Sequence, residues 1–276
     1  MDLAAVHDLH MTINQVHRLV YFVPEAAEEY AALGVTGRSA YFGSRAAPLG
    51  AVSDEVIIAT FYNFSPGAVR SGCADMWRTA SPEAFQAARF RVVARALSRV
   101  GVGLTAEQVA AARSIIDPAV AALDLAGKPL GAANAGLALP ENPLSALWQQ
   151  VTVLREFRGD AHLSLLVANE IGPCDCMVLQ VGTGRFPLGI TQASRQWSEQ
   201  EWSASIERLA VRGWMDDSGA MTDAGIEARE RLEADTDRLC APIWNGLDDA
   251  TLGRLDGLLA RIHAAMVAVG TYAALA

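Results

Sequence analysis

Two histidines and their neighbours carry most of the chemistry that this sequence offers. His17 and Tyr21 stand four residues apart, one helical turn, and so share a face, with Phe22 beside them. Tyr41 and Arg45 repeat that spacing in Tyr41-Phe42-Gly43-Ser44-Arg45. Arg158-Gly159-Asp160-Ala161-His162 sets a cation, an anion and a titratable imidazole around a glycine at what reads as a helix start, with Asp160 in the N-cap place. Imidazole is the side chain best suited to proton transfer near neutral pH, and an arginine fixes an anion. One reading has His17 and His162 facing a single pocket walled by Tyr21, Phe22 and Tyr41, with Arg45 or Arg158 holding an anionic ligand. The plainer reading makes Asp160 a cap, Arg158 its ion-pair partner and His162 a packed residue of the next turn. Both stay open at the level of sequence.

Other chemistry is excluded more sharply. His7 and His10 precede His17 without an acid or thiol at regular spacing, and read as a solvated N-terminal helix. Of Cys73, Cys174, Cys176 and Cys240, only the middle two are close, and no second ligand pair follows at zinc-finger spacing. No metal site is predicted. There is no GxSxG elbow, Walker-type loop or HExxH helix, so no reaction and no cofactor is named.

The elements that must position these residues are helices. Ser53-Asp54-Glu55, Ser65-Pro66, Ser81-Pro82-Glu83 and Thr105-Ala106-Glu107 each place a hydroxyl N-cap before a helix, twice with proline at the first helical position. Pro118 is expected to kink or divide the last of these. Residues 126–142 hold three Gly and two Pro and read as a loose connection between a helical domain, 1–140, and a second domain, 141–276. Helix resumes over Pro143–Phe157 and again over Asp160–Ile171.

Ser198-Glu199-Gln200-Glu201 is a capping box, and Trp202, Ile206 and Leu209 follow on one face. Arg212-Gly213 ends that helix. Trp214 to Thr222 then reads as a two-stranded wing around Asp217-Ser218-Gly219, and Thr222-Asp223-Ala224-Gly225 opens a long helix to Cys240. This stretch resembles the MarR-type winged helix, with Ile190–Gln196 as the helix before the recognition helix. Together with the segments around His17, Tyr41 and Arg158, the chain from His17 to about Trp244 resembles an actinobacterial family of helix-turn-helix proteins. That resemblance implies a mostly helical fold and brings no established substrate.

With 51% hydrophobic residues and a mean hydropathy of +0.19 over 276 residues, the chain has ample core material. No apolar run reaches the roughly twenty residues of a membrane span, and no basic, then apolar leader opens it, so a cytoplasmic protein is expected. The net charge is −9 and the pI about 5.0, which opposes a broad nucleic-acid footprint. Candidate DNA contacts reduce to Arg195, Ser203, Arg208 and Arg212, among eight acids and six arginines between residues 185 and 231.

The fold class expected is mainly α: a multi-helical N-terminal and central layer packed on a winged helix-turn-helix with a small two-stranded wing. The function expected is a small-molecule-responsive, MarR-like transcription regulator, with a small molecule and DNA as partners. The alternative is a ligand- or haem-binding protein, or an enzyme, that does not bind DNA and uses His17 and His162.

Overall fold

The computed structural model describes residues 2–184, 186–216 and 218–272. They fold into α-helices: α1 (Leu3–His17), α2 (Pro24–Ala31), α3 (Gly37–Ala46), α4 (Asp54–Phe61), α5 (Pro66–Cys73), α6 (Met76–Thr79), α7 (Pro82–Val100), α8 (Ala106–Ala121), α9 (Pro129–Ala135), α10 (Pro143–Ala168), α11 (Pro173–Gly182), α12 (Leu188–Arg195), α13 (Glu199–Val211), α14 (Asp223–Cys240) and α15 (Asp249–Ala268). Short 3-10 turns at Arg18–Tyr21, Ala47–Leu49 and Ala241–Trp244 complete the framework. No helix among the described residues is long and apolar enough to cross a membrane. The chain forms two compact units, residues 1–52, 75–160 and 237–276 in the first, and 53–74 and 161–236 in the second.

In the first unit, α1 runs along α15. The contact follows from spacing: Val6, Leu9, Ile13 and Val16 are buried on α1, and Leu252, Leu255, Leu259 and Ile262 on α15. Each such side chain contributes about 1.5–3 kcal/mol by leaving water. The helix α7 packs on α2 and α3. Its approach to α3 is close, because a Cβ at Gly43 would stand 2.3 Å from the Phe85 ring. The N-caps read from sequence at Ser65, Ser81 and Thr105 form as expected, each hydroxyl accepting a backbone N–H of its helix.

Several expectations need correction. The helix α10 is continuous over Pro143–Ala168, so Gly159 interrupts nothing and Asp160 is not its N-cap. Instead Asp160 Oδ2 accepts the Gly131 N–H at 2.8 Å, and thereby caps α9, whose N-terminus has proline at N1 and no cap of its own. The stretch read as a loose connection thus contains a helix held from outside. The N-terminal helix is not merely solvated, because His10 is buried and accepts from Trp244 Nε1 at 3.2 Å.

The second unit has a core of Leu166, Met177, Leu179, Trp202, Leu209 and Leu232 with their neighbours. Here the two-stranded wing does not form. A single antiparallel bridge joins Met215 to Met221, and no sheet is present among the described residues. The reason is local. Asp216 Oδ1 takes the N–H groups of Ser218 and Ala220, both at 2.9 Å, which closes the turn on itself. Thr222 then caps α14 at once, with its hydroxyl 3.1 Å from the Gly225 N–H, so the chain leaves the ladder after one residue. Asp217, at the centre of the expected wing, lies outside the described residues.

Candidate functional site

In the first unit, α10 is unusual in burying polar residues in a stripe. Ser145, Gln149, Thr152 and Glu156 recur at spacings of four, three and four, and all are almost fully buried. That is the period that normally carries an apolar seam. Opposite the stripe stand His17, at the end of α1, and Arg45, at the end of α3.

Arg45 grips Glu156 with two hydrogen bonds, Nε to Oε1 at 3.2 Å and Nη2 to Oε2 at 3.1 Å. Arg155 adds a third, at 2.7 Å. Burial pushes the Glu156 carboxyl up, but the Arg155 and Arg45 guanidinium groups outweigh it and hold the group well below the usual carboxylate range. His17 is fully buried and stacks on Trp148, with centroids 5.9 Å apart and planes 8° from parallel. Burial, with Arg155 close by, keeps its pKa well below 6.5, so the ring is neutral. Its Nε2 lies 3.9 Å from Glu156 Oε1, which for a neutral ring is not an ion pair. Its hydrogen bonds go elsewhere: Nε2 meets the Tyr21 hydroxyl at 3.1 Å and Nδ1 meets Thr152 Oγ1 at 3.0 Å.

Tyr21 carries this network to a pocket of about 530 Å³ between α2, α3 and the turn that follows α1. Phe22, Pro24, Ala27, Thr36 and Gly37 are its exposed rim, and Val20, Val23, Tyr30, Val35 and Ser44 its buried floor. The rings of Tyr21 and Tyr41 meet along one wall, 5.0 Å apart. On the floor, Tyr30 Oη and Ser44 Oγ are 2.6 Å apart. Burial pushes the phenols of Tyr21 and Tyr30 up, so both stay protonated and can donate or accept. An apolar cavity with a few convergent hydroxyls is the usual make-up of a small-molecule site.

Of the residues singled out by spacing, His17, Tyr21, Phe22, Tyr41 and Arg45 come together here. Arg158 and Asp160, although in the same unit, take other partners. Arg158 Nη2 donates to Asp237 Oδ1 at 2.8 Å, and His7 Nδ1 meets the other oxygen of Asp237, also at 2.8 Å. His162 belongs to the second unit, where Nδ1 meets Thr236 Oγ1 at 2.9 Å. Sequence reasoning missed Tyr30, Ser44, Trp148, Thr152 and the role of Glu156. The signal was present in α10: polar residues at four-three-four spacing where the helical pattern predicts apolar ones.

The second unit holds the other candidate surface. Helix α12 ends at Gln196 in the left-handed conformation, φ 55°, and α13 starts three residues later behind the Ser198–Glu201 capping box. Trp197 Nε1 donates to Asn63 O at 3.1 Å and fixes the turn, while α13 packs against α11. Two helices joined by so short a turn, with the second crossing a third, have the helix-turn-helix layout.

A family model described as the helix-turn-helix family matches residues 6–273. The chain belongs to that family. No curated protein and no solved structure matches it. Membership suggests a regulator of the DNA-binding kind, and the arginines of this helix-turn-helix protein bear on that directly. Arg208 pairs with Asp175 at 2.7 Å and with Ser205 Oγ at 2.7 Å. Arg212 donates to the carbonyls of Asn169 and Glu170, at 2.9 and 3.3 Å, and lies 3.8 Å over the Trp214 ring. Arg195 lies 4.3 Å over the Phe64 ring. Ser203 is exposed on α13 among Glu199, Gln200 and Glu207. All three arginines are engaged within the unit.

Proposed function

We propose that this chain is a small-molecule-responsive helix-turn-helix regulator, MarR-like in the arrangement of α12 and α13, whose ligand enters the pocket of the first unit. The observation that carries the reading is the pocket itself: about 530 Å³, apolar at its rim, hydroxylated at its floor and hydrogen-bonded through Tyr21 to a neutral, buried His17. The size suits a molecule of one or two rings. A neutral fluorescent probe, N-phenyl-1-naphthylamine, tests the site on the full chain. Saturable enhancement is expected, and Ala27→Trp, on the exposed rim, should abolish it without loss of helix content. Enhancement that does not saturate, or that Ala27→Trp leaves unchanged, overturns the reading.

One observation favours a second reading, a ligand-binding protein or enzyme that uses the helix-turn-helix only as scaffold. Residues 161–236 carry twelve acids against six arginines, and the three candidate DNA-contacting arginines already have partners. Phosphate contacts need uncommitted cations. Under this reading His17 and Tyr21 would form a proton relay at the pocket wall, and duplex DNA would not compete with or alter probe binding.

A further inference from the structure

We propose that the ligand of the first-unit pocket carries a carboxylate, and that Arg89 is its counter-ion. This inference rests on the reading of the pocket as a ligand site and adds the chemical class of the ligand.

Arg89 lies in α7 with no exposed surface at all. Its Nη1 donates to the Ser44 carbonyl at 3.1 Å, while Nε and Nη2 are buried without a hydrogen-bond partner among the described residues. The guanidinium stands 5.1 Å over the Trp148 ring, which softens its burial but supplies no opposite charge. A fully buried, unpaired cation costs several kcal/mol, and folds keep one only where something neutralises it.

The nearby charges do not do so. Glu156 already accepts from both Arg45 and Arg155. His17 is neutral, and the phenols of Tyr21 and Tyr30, whose ionisation feels Arg89, are held protonated by burial. The cluster thus sets three arginines against one carboxylate, and Arg89 is the arginine that Glu156 does not reach.

Its missing partner can come from the pocket. Ser44 is the shared wall: its carbonyl holds Arg89, its hydroxyl holds Tyr30, and both Ser44 and Tyr30 form the pocket floor. Arg89 itself lies behind that floor and lines no part of the pocket, so a planar carboxylate would have to part the Tyr30–Ser44 hydrogen bond to take the idle donors of the guanidinium fork and one freed hydroxyl. The apolar rim would cover the rest of the molecule.

The test compares naphthalene-2-carboxylate with the isosteric naphthalene-2-carboxamide by calorimetry on the full chain. The carboxylate should bind more tightly by about tenfold or more, the gain of charge-assisted over neutral hydrogen bonds. In Arg89→Met that preference should fall to about one while carboxamide binding persists, and Arg89→Lys should restore part of it. The Arg89→Met chain should melt no lower than the parent, because it loses an unpaired buried charge. Equal binding of the two compounds to the parent overturns the proposal, as does an undiminished preference in Arg89→Met. Failure of Arg89→Met to fold would make the guanidinium a structural strut, and overturns it too. If neither compound binds but N-phenyl-1-naphthylamine does, the pocket stands and the carboxylate does not. If that neutral probe also fails, the pocket reading itself falls.

Discussion

The Tyr21 hydroxyl sits 3.1 Å from Nε2 of His17, so a wall of the pocket and a fully buried imidazole form one hydrogen-bonded unit. Thr152 takes Nδ1 from the other side at 3.0 Å, and both nitrogens of the neutral ring are thereby used. Tyr21→Phe should leave Nε2 buried without its hydroxyl partner and destabilise the chain by about 1–3 kcal/mol. In the double variant with His17→Leu that orphan no longer exists. The double change should therefore cost clearly less than the sum of the single ones, by at least about 0.5 kcal/mol. Urea unfolding of the four chains measures this coupling, and strict additivity would show that the two side chains act independently.

Much of the local structure is legible in the residues themselves, because caps are short-range chemistry. The Ser65, Ser81, Thr105 and Ser198 caps lie where hydroxyl, proline and acid spacing puts them. The pairing of His17 with Tyr21 also follows from their spacing, whereas the meeting of Tyr21 with Tyr41 joins two separate elements and does not. What spacing does not reveal is competition from distant partners. Asp160 has the look of an N-cap within its own segment, yet it caps α9, twenty-nine residues back in sequence. The wing shrinks to one bridge because the Asp216 side chain takes the Ala220 N–H that would otherwise have met the Asp216 carbonyl. Arg89 carries no sequence signal at all: one arginine among several on α7, it is set apart only by complete burial.

Acid should weaken the fold, and buried groups in the first unit supply most of the effect. Burial, with Arg158 and His7 nearby, pushes His10 down to about 3, and burial, with Arg155 nearby, pushes His17 well below 6.5. As pH falls below about 6.5 the unfolded chain therefore protonates these two imidazoles before the folded chain does. Asp160 acts in the opposite direction, since burial lifts it to about 6 and the folded chain protonates it first. The unfolded side still binds more protons, so stability should fall on acidification, and more steeply below about pH 4.5, where the unfolded chain also protonates Glu156 while the folded chain does not. Asp160→Asn keeps an acceptor for Gly131 but removes the compensation, and should make the slope steeper. Unfolding free energies at pH 7, 6, 5 and 4 would show this, and a flat profile would contradict it.

Duplex binding should be weak and carry a shallow salt slope. Arg195, Arg208 and Arg212 are the candidate contacts among the arginines of this unit, and each is tied to a carboxylate, a carbonyl or a ring. Counterion release then predicts a slope of log K against log salt no steeper than about −3. Fluorescence anisotropy with a 25-base-pair duplex, at salt concentrations between about 50 and 200 mM, spans the range in which each phosphate contact is felt. A steep slope would mean that these arginines leave their partners to meet phosphate.

Glycines in helices supply the sharpest test of the second unit's packing. Replacing a helical glycine by alanine ordinarily stabilises by about 0.5–1 kcal/mol, because the backbone loses freedom in the unfolded chain. Gly253 and Gly257 in α15 should follow that rule, since nothing lies within 4 Å of a Cβ at either position. Gly225, in the first turn of α14, should break it. A Cβ there would stand 2.3 Å from the Trp214 carbonyl oxygen and 2.8 Å from Met221 Cγ. The first of these is backbone, and it is held in place by the Thr222 N–H at 3.1 Å, so it cannot swing aside as a side chain would. Either α14 moves away from the bridge at Met215 and Met221, or the bridge opens. Gly225→Ala should thus destabilise by about 1–3 kcal/mol, the usual range for overpacking, opposite in sign to Gly253→Ala. Thermal melts of the two variants beside the parent would decide, and a stabilised Gly225→Ala would show that α14 does not approach the Trp214 backbone so closely.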